Sequence, residues 1–241
     1  MESILVDKNE TQKIAVLCWE KGQVPKGLQQ LECLVGNSTN PASYRYPVRL
    51  HRVQGANVHT ILEQPSQAVL HTMITDVTAM ASEGICAITT SCGFNAIFQR
   101  ELATAAGVPV ITSSLLQVPF ARQICGPEGD ICIITANAGA LTQKHLESVG
   151  ISRMDGLHII GLEQCAEWNR MFAEPDAEIN LALIEQEVMG TVRKALDTHP
   201  GIRALVLECT DLPPYSAALR QLTGLPVFDF ITMVNYLHSA L

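Results

Sequence analysis

The sequence predicts an α/β protein built from two related lobes, each a mainly parallel sheet flanked by helices. Short β-branched runs alternate with longer amphipathic stretches, which is typical of parallel strands joined by helices. An internal repeat predicts the second lobe. The segment GICAITTSCGFNAIFQRELATAAGVPV, starting at Gly84, aligns without a gap with GIRALVLECTDLPPYSAALRQLTGLPV, starting at Gly201. The offset is 117 residues, which places Cys92 on Cys209.

The repeat extends beyond this pair of segments. IAVLCWE at Ile14 and ICIITAN at Ile131 are separated by the same 117 residues. All β-α-β units look somewhat alike, but matching strand ends, Gly-x-Pro exits and cysteines exceed generic periodicity. CGPEGD at 125–130 has the glycine and proline content of a hinge. We therefore expect a first lobe of residues 1–112 plus 226–241, carrying Cys92, and a second lobe of residues 113–225, carrying Cys209.

Strands and helices are predicted along both halves of the chain. Eight strands are expected at Ile14–Trp19, Val48–Val53, Ile85–Thr90, Val108–Thr112, Ile131–Thr135, His158–Leu162, Ala204–Leu207 and Val227–Phe230. Helices are expected at about 25–35, 63–82, 95–106, 114–124, 141–149, 178–198, 214–223 and 230–240.

The composition limits the binding partners and the cellular compartment that we expect for this protein. Of 241 residues, 47% are hydrophobic and 17% charged, so the chain can bury a sizeable core. A net charge of −8 and the lack of a Lys/Arg-rich stripe argue against a nucleic-acid partner. The start MESILVDKNETQK lacks the apolar run of a signal peptide, and no segment has about 18 uninterrupted apolar residues to span a membrane. We expect a cytoplasmic protein with reduced cysteines.

Two of the eight cysteines occupy positions suited to catalysis or ligand binding. Cys92 and Cys209 each follow an apolar strand and precede a helix, and ligands of parallel sheets bind beyond such strand ends. The start of the helix favours a carboxylate there and also a thiolate. Gly93 would let a ligand approach the backbone, and Asn95 would cap the helix. Small buried hydrophobes are the simpler interpretation of the other cysteines, namely Cys18, Cys33, Cys86, Cys125, Cys132 and Cys165.

Two thiols on opposite lobes would reach one carbon from both sides, which is the geometry that stereochemical inversion requires. One thiolate would remove a proton beside a carboxylate, and the other thiol would deliver a proton to the opposite face. No residue pattern suggests a cofactor, and neither the cysteines nor the seven histidines show metal-ligand spacing.

Three segments, TTSCGFN, ITANAGALTQKHLESVGI and LVLECTDLPP, resemble the aspartate/glutamate racemase superfamily. That superfamily includes hydantoin racemases, arylmalonate decarboxylases and maleate isomerases. The resemblance implies two similar α/β lobes, Cys92 and Cys209 as catalytic residues between them, no cofactor and a homo-oligomer, most simply a dimer. It also implies that Thr210 contacts the substrate and that Thr135 and Asn137 belong to a loop lining its pocket.

Departures from the superfamily pattern put free glutamate in doubt as the substrate. Gly93-Phe94 stands where glutamate and aspartate racemases have Asn-Thr, and Asp211 stands where glutamate racemases have histidine. Cys18-Trp19-Glu20 replaces Asp-Ser after the first strand. Trp19 and Phe94 suit a larger or less polar substituent, although either could belong to the core. Asp211 could act as a partner of Cys209, but capping of a helix is the simpler interpretation.

Other polar residues at strand ends complete the candidate site. Ser91 could bind the substrate carboxylate or the backbone, and Gln54 and Glu20 could reach the cleft or be solvated loop residues. The leading hypothesis is a racemase or epimerase of a small carboxylic acid. Hydantoin racemase, cis–trans isomerase and decarboxylase chemistry remain alternatives, and so does a non-catalytic carboxylate-binding protein.

Overall fold

A computed structural model describes residues 12–126 and 129–241. The predicted start of the chain and part of the predicted hinge lie outside the described residues. Two four-stranded parallel sheets form the framework. The first has the order β2-β1-β3-β4, and its strands are β1 (Ile14–Cys18), β2 (Val48–Arg52), β3 (Ala87–Thr90) and β4 (Val110–Ile111). The second has the order β6-β5-β7-β8, and its strands are β5 (Asp130–Thr135), β6 (Leu157–Gly161), β7 (Ile202–Leu207) and β8 (Val227–Phe228).

Strand register repeats with the offset of the sequence repeat. In the first sheet Ile14 pairs with Ala87, and in the second Ile131 pairs with Ala204. Each partner of the second pair lies 117 residues beyond its counterpart in the first. The predicted α/β class with two related sheets is confirmed, and all eight predicted strands overlap observed ones.

Helices cover both faces of the sheets. They are α1 (Lys26–Glu32), α2 (Gln67–Ser82), α3 (Gln99–Ala106), α4 (Val118–Cys125), α5 (Gln143–Ser148), α6 (Ala166–Ala173), α7 (Leu181–Thr198), α8 (Ser216–Thr223) and α9 (Phe230–Ser239). Short 3-10 turns at Gly93–Phe98 and Ser114–Gln117 lead into α3 and α4, and a π-helical turn spans Val58–Glu63.

The helix α6 was not predicted from the sequence. Its N-cap residue, Cys165, provides no capping side chain. Instead, the carboxylate of Glu187 in α7 accepts hydrogen bonds from the backbone N–H groups of Glu167 and Trp168, at 2.8 and 2.9 Å. Free N–H groups at the start of a helix need such an acceptor. Because this acceptor lies 20 residues away in sequence, no capping residue next to the helix indicated where it begins.

The last strand and the last helix of the chain belong to different lobes. β8 pairs with β7, so Val227–Phe228 belongs to the second sheet and not to the first lobe, where the sequence analysis placed it. The next helix, α9, returns to the first sheet, where Phe230, Met233 and Val234 pack in one cluster with residues of β1. The chain therefore crosses between the lobes directly after β8, and this crossing holds the lobes together.

Burial of the cysteines differs from the sequence-based interpretation at several positions. Cys18 and Cys132 are buried, whereas Cys86, Cys125 and Cys165 are only partly buried. Cys33 is exposed at the C-terminus of the short helix α1 and was wrongly interpreted as a small core residue. In the part of the chain that the structure describes, no helix combines the length and apolar character needed to cross a membrane.

Candidate active site

A cavity of about 540 Å³, including its mouth, lies where the carboxyl ends of the two sheets meet. Both Cys92 and Cys209 line it, so each lobe contributes one thiol to the same space. The other lining residues are Trp19, Val24, Leu28, Glu32, Thr39, Leu62, Ser91, Gly93, Phe94, Ala136, Phe172, Glu208, Thr210 and Asp211. Three of these residues carry carboxyl groups and three carry aromatic rings, and neither lysine nor arginine is among them.

Cys92 follows β3 and is 8% exposed. Burial raises the pKa of its thiol, and the nearby Glu208 carboxylate raises it further. Two N–H groups act in the opposite direction: the backbone N–H of Phe94 and the indole N–H of Trp19 both lower this pKa. The Trp19 indole nitrogen is buried and has no hydrogen-bond partner among the described residues, so its N–H is free to bind a thiolate or a substrate. The surroundings of Cys92 thus include groups that stabilise a thiolate.

Cys209 follows β7 and lies in a different electrostatic environment. Its Sγ donates to Oδ2 of Asp211 at 3.6 Å. Burial raises the pKa of the Cys209 thiol well above its usual value, and the charges of Asp211 and Glu208 add to that rise. Cys209 is therefore held as a neutral thiol that donates to a carboxylate.

Glu208 is the functional candidate that the sequence analysis missed. Its side chain is fully buried at the end of β7, and its Oε2 accepts a hydrogen bond from Thr135 Oγ1 at 2.7 Å. Burial raises the pKa of this carboxyl to about 7. A charged residue directly after the apolar run Ala204–Leu207 was the available signal, because a glutamate is rarely buried without a specific reason.

The lobes are in close contact at Gly93. A Cβ atom at this position would lie 2.2 Å from the backbone oxygen of Glu208 and 2.2 Å from its Oε1. A second link lies beside it, since Thr210 Oγ1 donates to the backbone oxygen of Ser91 at 2.5 Å. Glycine is therefore needed for contact between the lobes, in addition to the ligand approach that the sequence suggested.

Asp211 was interpreted from the sequence as a helix cap, and that interpretation is wrong. The following 3-10 turn, Pro213–Tyr215, has Leu212 as its N-cap and no capping side chain. Asp211 instead faces the cavity, where its Oδ1 accepts a hydrogen bond from Asn37 Nδ2 at 2.7 Å. Burial raises the pKa of this carboxyl to about 6.

Five of the predicted binding residues line the cavity: Trp19, Ser91, Gly93, Phe94 and Thr210. The remaining four do not. Asn95 is buried within the 3-10 turn and, contrary to the sequence-based expectation, caps neither this turn nor α3. Thr135 binds Glu208, and Gln54 is exposed in a turn. Asn137 lines a neighbouring pocket that shares Leu62, Ala136 and Phe172 with the cavity.

Several residues missed on the cavity wall lie in or beside two short helices. Val24, Leu28 and Glu32 lie before or within α1, and Phe172 lies in α6. Neither helix follows β3 or β7, the strands that lead into Cys92 and Cys209, so the repeat did not point to them.

Comparison with solved structures gives matches that cover almost the whole chain. An allantoin racemase from Pseudomonas fluorescens has a TM-score of 0.63, with 94% of this chain and 89% of that chain covered at 13% identity. An aspartate racemase homologue from Pyrococcus horikoshii has a TM-score of 0.57, with 95% and 100% covered at 18% identity. This chain has the fold of the aspartate/glutamate racemase superfamily. The resemblance stated from the sequence is thereby confirmed for the fold.

Decarboxylases share the superfamily fold. A mutant of arylmalonate decarboxylase in a sulfate-associated form has a TM-score of 0.51, with 90% of this chain and 87% of that chain covered at 14% identity. The same fold thus supports different reactions, and the fold alone does not select one.

Sequence comparison leads to a third reaction class. A dimethylsulfoniopropionate lyase from Durusdinium sp. clade D is 28% identical over 84% of this chain and 69% of its own length. Dimethylsulfoniopropionate lyases 7 and 6 from Emiliania huxleyi are 32% and 31% identical over 86% of this chain. The chain spans only 63% and 56% of the lengths of these two relatives. No family model matches the chain.

The two halves of this superfamily fold differ at the cavity. With the offset of 117 residues, Ser91 corresponds to Glu208, and Phe94 corresponds to Asp211. Both added carboxyl groups therefore lie on the second lobe, beside Cys209. The surroundings of the two thiols are unequal although the backbone around them repeats. Among the described residues, no group of three or more His, Cys, Asp or Glu side chains is arranged to hold a metal ion.

Proposed function

We propose that this protein is a lyase that acts on dimethylsulfoniopropionate or a closely related sulfonium acid. In this reaction a cysteine removes the proton beside the carboxylate, and dimethyl sulfide leaves from the next carbon. Sequence likeness to dimethylsulfoniopropionate lyases over most of the chain supports this choice, and so does the composition of the cavity.

The lining of the cavity suits a substrate that carries a positive charge. Glu32, Glu208 and Asp211 line it together with Trp19, Phe94 and Phe172. Carboxylates attract a sulfonium group by charge, and aromatic faces attract it through their quadrupole. Because neither lysine nor arginine lines the cavity, a carboxylate can be bound there only by N–H and O–H donors. One substrate carboxylate can be held in this way, whereas the second carboxylate of a dicarboxylic amino acid would face Glu32, Glu208 or Asp211.

The unequal environment of the two thiols is the observation that carries the choice of a lyase. Racemisation in both directions requires two groups that exchange the roles of acid and base. Elimination requires one base. A backbone N–H lowers the pKa of each thiol, that of Phe94 for Cys92 and that of Asp211 for Cys209. The Trp19 indole N–H acts on Cys92 alone, whereas Cys209 donates its own proton to Asp211, so Cys92 is the better base.

The reaction steps follow from this assignment. The Cys92 thiolate takes the proton from the carbon next to the carboxylate, forming an S–H bond. The electron pair of the broken C–H bond forms the carbon–carbon double bond, and the electron pair of the C–S bond leaves with dimethyl sulfide. The products are acrylate, dimethyl sulfide and one proton. In this proposal the thiol of Cys209 turns from Asp211 to donate a hydrogen bond to the developing negative charge.

Headspace gas chromatography tests the proposed activity directly. Purified protein incubated with dimethylsulfoniopropionate is expected to release dimethyl sulfide and equimolar acrylate, measured in the same sample by liquid chromatography. Boiled protein is the control for slow alkaline elimination. Absence of both products at substrate concentrations up to the millimolar range would rule out this substrate.

Trp19 is expected to contribute to recognition of the sulfonium group. Replacement by leucine should raise KM by about two- to thirtyfold, because a cation–π contact is worth about 0.5–2 kcal/mol. Trp19→Phe keeps an aromatic face but removes the indole N–H, so it should change KM less and kcat more. Steady-state kinetics of the two variants separate the two roles. Equal KM values in Trp19→Leu and the unchanged protein would contradict a cation–π contact.

Racemisation or epimerisation of a small acid is the second candidate. It is favoured by the presence of a thiol from each lobe in one cavity, which a lyase with a single base does not require. Incubation with candidate acids in heavy water would reveal it as exchange of the proton beside the carboxylate, with inversion and without elimination. Hydantoin-type substrates belong in the same screen, because the residues expected to recognise an α-amino acid are altered.

A further inference from the structure

One carboxyl oxygen of Glu208 takes part in no hydrogen bond among the described residues. Its Oε2 accepts a hydrogen bond from Thr135, whereas its Oε1 is buried and has no hydrogen-bond partner among the described residues. An unpaired oxygen of a buried carboxyl group is costly, so proteins rarely retain one without a reason. Packing alone would be served as well by an apolar side chain of similar volume.

The unpaired oxygen lies next to the backbone that carries the proposed base. The position of a Cβ on Gly93 is 2.2 Å from Oε1, and Gly93 directly follows Cys92. Glu208 and Cys92 line the same cavity, and the charge of Glu208 acts on the Cys92 thiol more strongly than that of Asp211 does. Asp211 in turn is the carboxylate bonded to Cys209. Asp211 is thus bonded to Cys209, whereas Glu208 is the carboxylate with the larger effect on Cys92 and has a free oxygen.

We propose that Glu208 accepts the proton of the Cys92 thiol and thereby generates the thiolate that acts as base. This assignment rests on the proposed function, in which Cys92 removes the substrate proton, and it extends that function by naming where the proton of the resting thiol goes. Without such an acceptor, a buried thiol remains protonated at neutral pH.

The proton balance closes over one turnover. The S–H bond of Cys92 breaks and an O–H bond forms on Glu208, which leaves a thiolate beside a neutral carboxylic acid. The thiolate then takes the substrate proton, so that Cys92 and Glu208 are both protonated after elimination. Glu208 returns its proton to water through the mouth of the cavity. The net release of one proton matches the formation of acrylate from a zwitterionic substrate.

Other groups that act on this pair set its pH dependence. Cys209, Asp211 and Glu32 are the titratable side chains that share the cavity with Cys92 and Glu208. Asp211, with a pKa raised to about 6, loses its proton before Glu208, whose pKa is raised to about 7. Cys92 should therefore gain reactivity near neutral pH, as Glu208 loses its proton and can accept another.

Alkylation of Cys92 by iodoacetamide in the absence of substrate tests the assignment. The rate is measured by mass spectrometry of the Cys92 peptide across the neutral and alkaline pH range. The unchanged protein is expected to show a first rise near neutral pH and a second rise at high pH, where the thiol ionises by itself. In Glu208→Gln the first rise should disappear, lowering the rate just above neutral pH by about tenfold or more.

The opposite result would overturn the proposal in a recognisable way. If Glu208 only repels the thiolate, its replacement by glutamine removes that repulsion, and Cys92 should react faster at every pH. A retained first rise in Glu208→Gln also contradicts a role as acceptor. Glu167→Gln is the matched control, because Glu167 is buried in α6 and does not line the cavity. It should keep both rises.

A second variant leaves Glu208 in place. Thr135→Val removes the hydroxyl that donates to Oε2, and this hydrogen bond lowers the pKa of Glu208. Its loss should move the first rise in alkylation to higher pH, whereas a rise at an unchanged pH would contradict the assignment. None of these measurements uses dimethylsulfoniopropionate. If the lyase assay fails while the alkylation profile is as expected, dimethylsulfoniopropionate is excluded as the substrate. The proton transfer from Cys92 to Glu208 would still be supported.

Discussion

Replacement of Cys92 by serine is expected to reduce kcat for elimination by about 10²–10⁴-fold, the usual contribution of a positioned general base. Serine has nearly the same shape as cysteine, but its hydroxyl ionises far less readily than a thiol. The donors that stabilise the Cys92 thiolate, the N–H groups of Phe94 and Trp19, cannot compensate for this difference. Initial rates of acrylate formation at saturating substrate measure the effect.

Cys209→Ser is the matched comparison, because the residue lies at the equivalent position of the second lobe. Its side chain donates to Asp211, and a serine hydroxyl can donate in the same way. A loss of less than about tenfold in kcat is therefore expected, since only a hydrogen bond is altered. Equal and large losses in both variants would indicate a two-base mechanism and favour a racemase.

Replacement of Gly93 by alanine is expected to damage both stability and activity. The new methyl group would lie 2.2 Å from the backbone oxygen of Glu208, and a backbone atom cannot move aside as a flexible side chain can. Overpacking of this kind costs about 1–3 kcal/mol of the free energy of unfolding. Because the contact joins the two lobes beside both thiols, a shift of about 1 Å there should lower kcat/KM by about 10²-fold.

Thermal unfolding and steady-state kinetics of Gly93→Ala provide the measurement. Gly190→Ala is the control: Gly190 lies in α7, and a Cβ there meets no atom within 4 Å. Alanine favours a helix interior by about 1 kcal/mol over glycine, so this variant should be as stable as the unchanged protein or more so. A Gly93→Ala variant with unchanged melting temperature and kcat/KM would show that the lobes tolerate separation at this point.

The unequal lobes show how one fold can support different reactions. In this chain the backbone repeat delivers two cysteines to one cavity. Glu208 occupies the position in the second repeat that Ser91 has in the first, and Asp211 likewise corresponds to Phe94. These two differences make the electrostatic environments of the two thiols unequal. Whether a chain of this kind inverts a centre or eliminates a leaving group is, on this view, decided by a few side chains at the strand ends.

The repeat allowed much of the framework to be predicted from the sequence. Apolar strands that end in Cys92 and Cys209 are local patterns, and an offset of 117 residues relates them without knowledge of the fold. Helix α6 could not be predicted in the same way, because its N-terminal acceptor comes from Glu187 in another helix. Phe172, which α6 supplies to the cavity, was missed for that reason.

By itself, the sequence determined the two parallel sheets and the position of one thiol at the end of a strand in each, because strand periodicity and an internal repeat are properties of the linear chain. Only the tertiary structure decided the charge around those thiols. Glu32 comes from α1, and Glu208 and Asp211 follow β7, so they share one cavity only because the two lobes pack together at Gly93. Burial in that shared space raises the pKa values of their carboxyl groups, and burial depends on what the rest of the fold places around each group.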